Sequence, residues 1–259
     1  MCRTILWRVI IVCLVLILCC PATAWAESLG DRLASYPDWE NFPAIAAVQG
    51  SEDLVYPQWM AGTWQVTSTL IEQVAPFAPE IVTPGFEQNK SLINQPFEFR
   101  VRFQPQQTFF TKAFTLPKLM AGTLPIVADR EFNGLEIARS YLGETGVKTV
   151  KVDPRNPNRQ LTRLGNNQIL ISTVTGRSIE NLDNEFLTSE ITQQQFRGAP
   201  QLYLNQVETT TDYQQISPEM LTANQVTAIY LTANDPDFFT TQNHPVALYR
   251  YNLSLQKID

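Results

Sequence analysis

The sequence predicts a mainly β protein: an antiparallel up-and-down barrel of about 8–10 short strands, with one short helix and an aromatic arm on its N-terminal side. Three observations lead there. From Gly62 apolar residues recur at every second position in run after run, almost to the end of the 259-residue chain. Turn-forming residues separate the runs. Only one later segment has helical spacing.

The first run sets Trp64, Val66, Ser68 and Leu70 on one face, alternating with Gln65, Thr67 and Thr69. Phe97, Phe99, Val101 and Phe103 alternate with Glu98, Arg100 and Arg102, the pattern of a half-buried strand. Residues 108–114 are expected to pair back with it. Further strands are expected at 147–152, 160–164, 168–174, 186–194, 201–212, 226–231 and 246–255, the last with Tyr249, Tyr251, Leu253 and Leu255 on its inner face. Asp-Pro-Arg-Asn-Pro-Asn at 153–158 reads as a turn, because two prolines disfavour both helix and central strand. Gly165-Asn166-Asn167 tolerates the positive φ of a tight hairpin. Arg130–Leu142, with Ile137 and Tyr141 four apart and Gly143 as its stop, predicts a single helix plugging or covering the sheet.

Ahead of the strands lies an arm, residues 27–57, in which Pro37, Pro43 and Pro57 punctuate Tyr36, Trp39, Phe42 and Tyr56. Helical turns are expected at 29–34 and 43–48, and the arm is expected to pack over the end of the domain behind it, residues 58–259. Residues 1–26 read as a removable export signal: Arg3 and Arg8, an apolar run over 9–20, Pro21, then Ala24 and Ala26 flanking Trp25. The run is about a dozen residues, short of the roughly 20 needed to cross a bilayer as a helix.

All four cysteines, Cys2, Cys13, Cys19 and Cys20, fall inside that signal, and His244 is the only histidine. Thiol nucleophiles, zinc–thiolate sites, iron–sulfur clusters and disulfides are therefore not expected in the exported chain. No nucleophile elbow, phosphate-cradling glycine loop or metalloprotease motif occurs, so neither a cofactor, a metal nor an enzymatic activity is expected. The acids Glu180, Asp183, Glu185 and Glu190 read as a solvated loop and strand face. The net charge of −6 becomes about −8 once Arg3 and Arg8 are removed, which disfavours nucleic acid as a partner.

Gly62-Thr63-Trp64, at the head of the strand series, resembles the Gly-x-Trp that opens the first strand of lipocalin-like barrels. There the glycine turns the chain in at the floor and the tryptophan closes it. More widely, Tyr56-Pro57-x-Trp59, Ala128-Asp129-Arg130 with Phe132-Asn133-Gly134, 150–154, 207–211 and 245–251 resemble a family of exported proteins of cyanobacteria and the thylakoid lumen of chloroplasts. That resemblance implies a lumenal or periplasmic address and carries no activity with it.

The residues expected to line a barrel interior are Trp64, Phe99, Phe103, Tyr249 and Tyr251. Glu208, in Glu208-Thr209-Thr210-Thr211, reads as part of an ordinary strand; pointing inward it would need a partner such as Arg177 or Arg139, and the pair would then orient a ligand. Phenylalanine and tyrosine at nearly every inner position are expected to fill a small barrel. The first expectation is thus a monomeric assembly or interaction factor acting through its surface on a photosynthetic membrane complex. The alternative is a binding protein for a small hydrophobic pigment, lipid or quinone, and a bilin-lyase-like enzyme stands third by analogy of shape.

Overall fold

The computed structural model describes residues 28–43, 45–48, 52–106, 124–165, 167–198 and 203–259; the export signal expected over 1–26 and the strand expected at 108–114 lie outside them. The described strands are β1 (Gly62–Val74), β2 (Pro96–Pro105), β3 (Ile126–Ala128), β4 (Val147–Asp153), β5 (Asn156–Leu164), β6 (Ile169–Asn181), β7 (Glu185–Arg197), β8 (Tyr203–Ser217), β9 (Met220–Tyr230) and β10 (Ala247–Lys257). They form one antiparallel sheet in the order β3-β2-β1-β10-β9-β8-β7-β6-β5-β4. Read as a circle, this is a simple up-and-down meander sealed by the β1–β10 pair and interrupted only between β3 and β4. The sheet is accordingly a curled half-barrel, consistent with a lipocalin-like barrel.

The helix predicted over Arg130–Leu142 forms with those bounds and is itself the β3–β4 connection. Of the four α-helices among the described residues, α1 (Leu29–Ala34), α2 (Phe86–Asn89), α3 (Arg130–Leu142) and α4 (Phe238–Thr241), only α3 spans the interruption, packing against both β2 and β4. Its side chains take over hydrogen bonds that a neighbouring strand would make. The Asn133 carboxamide accepts from the Arg102 N–H at 2.7 Å and donates to the Arg102 carbonyl at 3.2 Å, while Glu131 accepts from the Val152 N–H on β4 at 2.9 Å. Asp129 caps the helix by accepting from the Phe132 N–H at 3.1 Å. Gly134 lets it approach closely, since a Cβ there would lie 2.8 Å from Gln160 Nε2. Asn133→Ala leaves the Arg102 N–H without its acceptor and is expected to cost about 1–3 kcal/mol in chemical denaturation, against well under 1 for Glu87→Ala on the exposed α2.

The inner face is closed at one end by Trp64, fully buried, whose Nε1 donates to the Met60 carbonyl at 2.9 Å. Val66, Val101, Phe103, Leu221 and Leu255 pack around it. Gly62 has φ +127°, and a Cβ there would sit 2.6 Å from Lys257 Cε and 2.8 Å from the Asp259 carbonyl oxygen, so both glycine and tryptophan of Gly-x-Trp are required by the local geometry.

Three local expectations are corrected. The turn predicted over 153–158 is shorter, and Asn156-Pro157-Asn158 already belong to β5. Pro157 is accommodated because the β4–β5 register slips between Val152/Gln160 and Asp153/Asn156, and pairing with β6 begins only at Arg159. In place of the helical turn expected at 43–48, residues 45–48 run beside β6, with Ala47 bridged to Gly176 and the Val48 N–H donating to the Thr175 carbonyl at 3.0 Å. The arm divides in two: its first part lies across the outer face of the sheet, where Tyr36 and Trp39 pack on Val226, Ala228, Tyr230 and Leu248, while Leu54 and Tyr56 pack with Trp64 on the inner core.

Candidate ligand-binding cavity

Between the inner face and α3 lies a cavity of about 360 Å³. Strand alternation makes its two sides chemically different. β1, β2 and the end of β10 contribute a mostly apolar side, Val66, Val101, Leu253 and Leu255 with the Ser68 hydroxyl among them; β8, β9 and the middle of β10 contribute Tyr213, Gln225, Thr227 and Tyr251. The β9 and β10 residues share the face through the pairs Leu253/Ala223, Tyr251/Gln225 and Tyr249/Thr227. From α3, Asn133, Ile137 and Tyr141 complete the lining. Ile137 and Tyr141 are 37% and 40% exposed, so the cavity reaches solvent beside the C-terminal half of the helix. There the Tyr141 ring stacks on Phe97 at 4.9 Å between centroids.

The residues singled out from sequence separate into three places. Phe99, Phe103 and Tyr251 line the cavity. Trp64 lies in the floor beneath it, and Tyr249 is buried against Phe86, Leu70 and Ala247, outside the lining. Glu208 points the other way. It pairs with Ala228, and Ala228 with Leu248, on the outer face beneath the arm. Its partner is neither Arg177 nor Arg139 but Arg32 of α1, whose Nε donates to Oε1 and whose Nη2 donates to Oε2 at 2.7 Å. Tyr230 Oη donates to Oε2 at 2.8 Å, Trp39 Nε1 to Oε2 at 3.1 Å, and the Thr210 hydroxyl lies 3.1 Å from Oε1. This buried carboxylate is thus satisfied on every side and clamps the arm to the sheet.

A second charge cluster, half-buried and missed by sequence reasoning, stands beside the cavity. Arg130, the first residue of α3, donates through Nε to Asp53 at 3.0 Å and through Nη2 to Glu190 at 3.2 Å. Arg177 donates through Nε to the same Glu190 oxygen at 3.0 Å and through Nη2 to Asn158 Oδ1 at 2.9 Å. Burial alone would raise the Glu190 carboxyl, but the two guanidiniums outweigh it and hold it below the usual carboxylate range. Glu190 is therefore no solvated strand-face acid: it lies opposite Arg177 on the inner face. Next to this cluster, burial and then the Glu190 charge push the Tyr213 phenol up to about 12, so it stays neutral. The available signal was Arg130 itself, inside the quoted Ala128-Asp129-Arg130, followed at once by an amphipathic stretch. Two positive and two negative groups satisfy one another here.

A family model for a domain of unknown function matches residues 48–259, which covers the whole sheet, α3 and the cavity. The chain belongs to the DUF6816 family. The match begins after α1 and Trp39, so the clamp around Glu208 joins a segment outside the DUF6816 match to the sheet within it. Searches of curated proteins and of solved structures found no match. Among the described residues no group of three or more His, Cys, Asp or Glu is placed to hold a metal ion, and no helix is long and apolar enough to cross a membrane.

Proposed function

We propose that this DUF6816 protein is a non-enzymatic binding protein that holds a small, largely apolar molecule in the cavity beneath α3, and that it does so after export to a periplasmic or thylakoid-lumenal compartment. The observation that carries the reading is the cavity itself. Phenylalanine and tyrosine were expected to fill the interior, yet about 360 Å³ is left between the sheet and the helix, within the range of roughly 300–1,000 Å³ usual for small-molecule sites. The apolar run and small-residue pair of residues 1–26 support export.

Apolar probes of one or two rings are expected to bind the protein at one site per chain and to raise its melting temperature with probe concentration, since a ligand held only by the folded state stabilises it by mass action. Phe99→Ala, at the cavity wall, is expected to change probe affinity several-fold, whereas Phe86→Ala, outside the lining, lowers stability alone. Equal affinities in the two variants would count against the cavity as the site.

A second reading, a surface that docks on a membrane complex, is favoured by Phe239. It is 83% exposed on α4 beside Phe238. Phe239→Ser would then abolish co-purification of partner proteins and leave probe binding unchanged.

A further inference from the structure

Resting on the cavity reading, the chemistry of the lining narrows what the site takes. We propose that the ligand is an uncharged, ring-bearing molecule with a carbonyl or similar oxygen on one side only. Among the described residues no aspartate, glutamate, lysine, arginine or histidine lines the cavity. A carboxylate or ammonium group would enter without a counter-charge, and burying an unpaired charge is strongly unfavourable. The nearest charged cluster cannot supply one. Asp53, Arg130, Glu190 and Arg177 are two acids and two bases already bonded to one another.

The ring preference comes from the walls. Tyr56, Phe99, Phe103, Tyr141, Tyr213 and Tyr251 present six aromatic rings, enough to sandwich or edge-pack a planar molecule, whereas a flexible chain would gain less from such fixed surfaces. The one-sided oxygen comes from the asymmetry of the strands. Val66, Val101, Leu253 and Leu255 offer nothing to hydrogen-bond, and the Ser68 hydroxyl among them is already engaged with the Tyr141 phenol, so a polar atom turned that way would compete with that contact or be buried unsatisfied. Gln225, Thr227 and Tyr251 stand on the other side. Thr211 Oγ1 donates to Gln225 Oε1 at 3.3 Å and Gln225 Nε2 donates to Thr227 Oγ1 at 3.4 Å, which fixes the carboxamide while leaving its second N–H available. Burial raises the Tyr251 phenol above its ordinary value, so this group too remains a neutral donor.

Three probes of nearly one shape separate the possibilities: 2-acetylnaphthalene with a carbonyl, 2-ethylnaphthalene without one, and 2-naphthoate with a charge, each titrated by equilibrium dialysis into the full chain at pH 7. The ketone is expected to bind at least threefold more tightly than the hydrocarbon and at least tenfold more tightly than the carboxylate. Tyr251→Phe combined with Gln225→Leu is expected to erase the preference of ketone over hydrocarbon and to leave hydrocarbon affinity within about twofold, as for a site whose donors select an oxygen. Naphthoate binding as tightly as the ketone, or a ketone preference that survives both substitutions, would overturn the assignment of ligand class while the cavity reading stands. If none of the three binds, the cavity reading itself fails.

Discussion

Arg32→Ala is expected to lower the unfolding free energy by about 3–5 kcal/mol, because it strands the Glu208 carboxylate, which is 0% exposed, without its counter-charge. The loss comes from the stranded charge more than from the missing attraction. Removing both charges, as Arg32→Met with Glu208→Gln, should therefore recover most of it, the glutamine oxygen still accepting from Trp39 and Tyr230. Urea midpoints for the two single variants and the double variant test the point. Additive losses would mean that the two side chains act independently and that the clamp contributes little. The arm supplies a second readout: with Arg32 gone, proteolysis within 28–48 should accelerate well before the sheet opens.

Trp64→Ala comes next in size, at about 3–5 kcal/mol, the range for truncating a large buried aromatic side chain. The indole is fully buried, surrounded by the inner core, and its Nε1 holds the Met60 carbonyl. Arg100→Ala on the opposite face of the neighbouring strand removes a surface pair with Glu136 and a contact with the Phe132 ring and should move the urea midpoint far less. Equal, small losses would deny that Trp64 closes the barrel floor.

How much of this could be read from the chain depends on how many faces each strand buries. β2 was plain because one face is in the core and the other meets solvent and the edge of α3, so Phe99, Val101 and Phe103 alternate with Arg100 and Arg102. β8 is covered on both sides, by the interior on one and by the arm on the other, and there alternation no longer distinguishes in from out: Val207 and Glu208 are both buried. The direction of Glu208 was therefore illegible, and its partner Arg32 stands 176 positions away, beyond any local pattern. β3 was missed because three residues following Pro125 cannot establish a period. β5 was cut short because two prolines read as a turn, when a register slip had made room for one of them in the sheet.

The helix was legible in its bounds and in its covering role, since Asp129 caps it and Gly143 ends it. What it covers was not. Side-chain size alone suggested a filled interior, and only the curvature of the sheet and the strand pairing show that α3 replaces the missing β3–β4 pair and leaves a cavity beneath it. Likewise Glu190 looked like one acid among several in a polar stretch. Its two arginines come from β6 and from α3, so three separated segments had to meet before its role was visible.

The central claim is that the cavity is a ligand site, and extraction of the protein purified from its own source tests it most directly. Mass spectrometry of the organic extract is expected to find one uncharged small molecule per chain, and the same preparation of Ala128→Phe, which places a ring in the cavity, is expected to yield none while melting near the parent temperature. An extract that is empty for the parent protein, or a molecule retained equally by Ala128→Phe, would contradict the account.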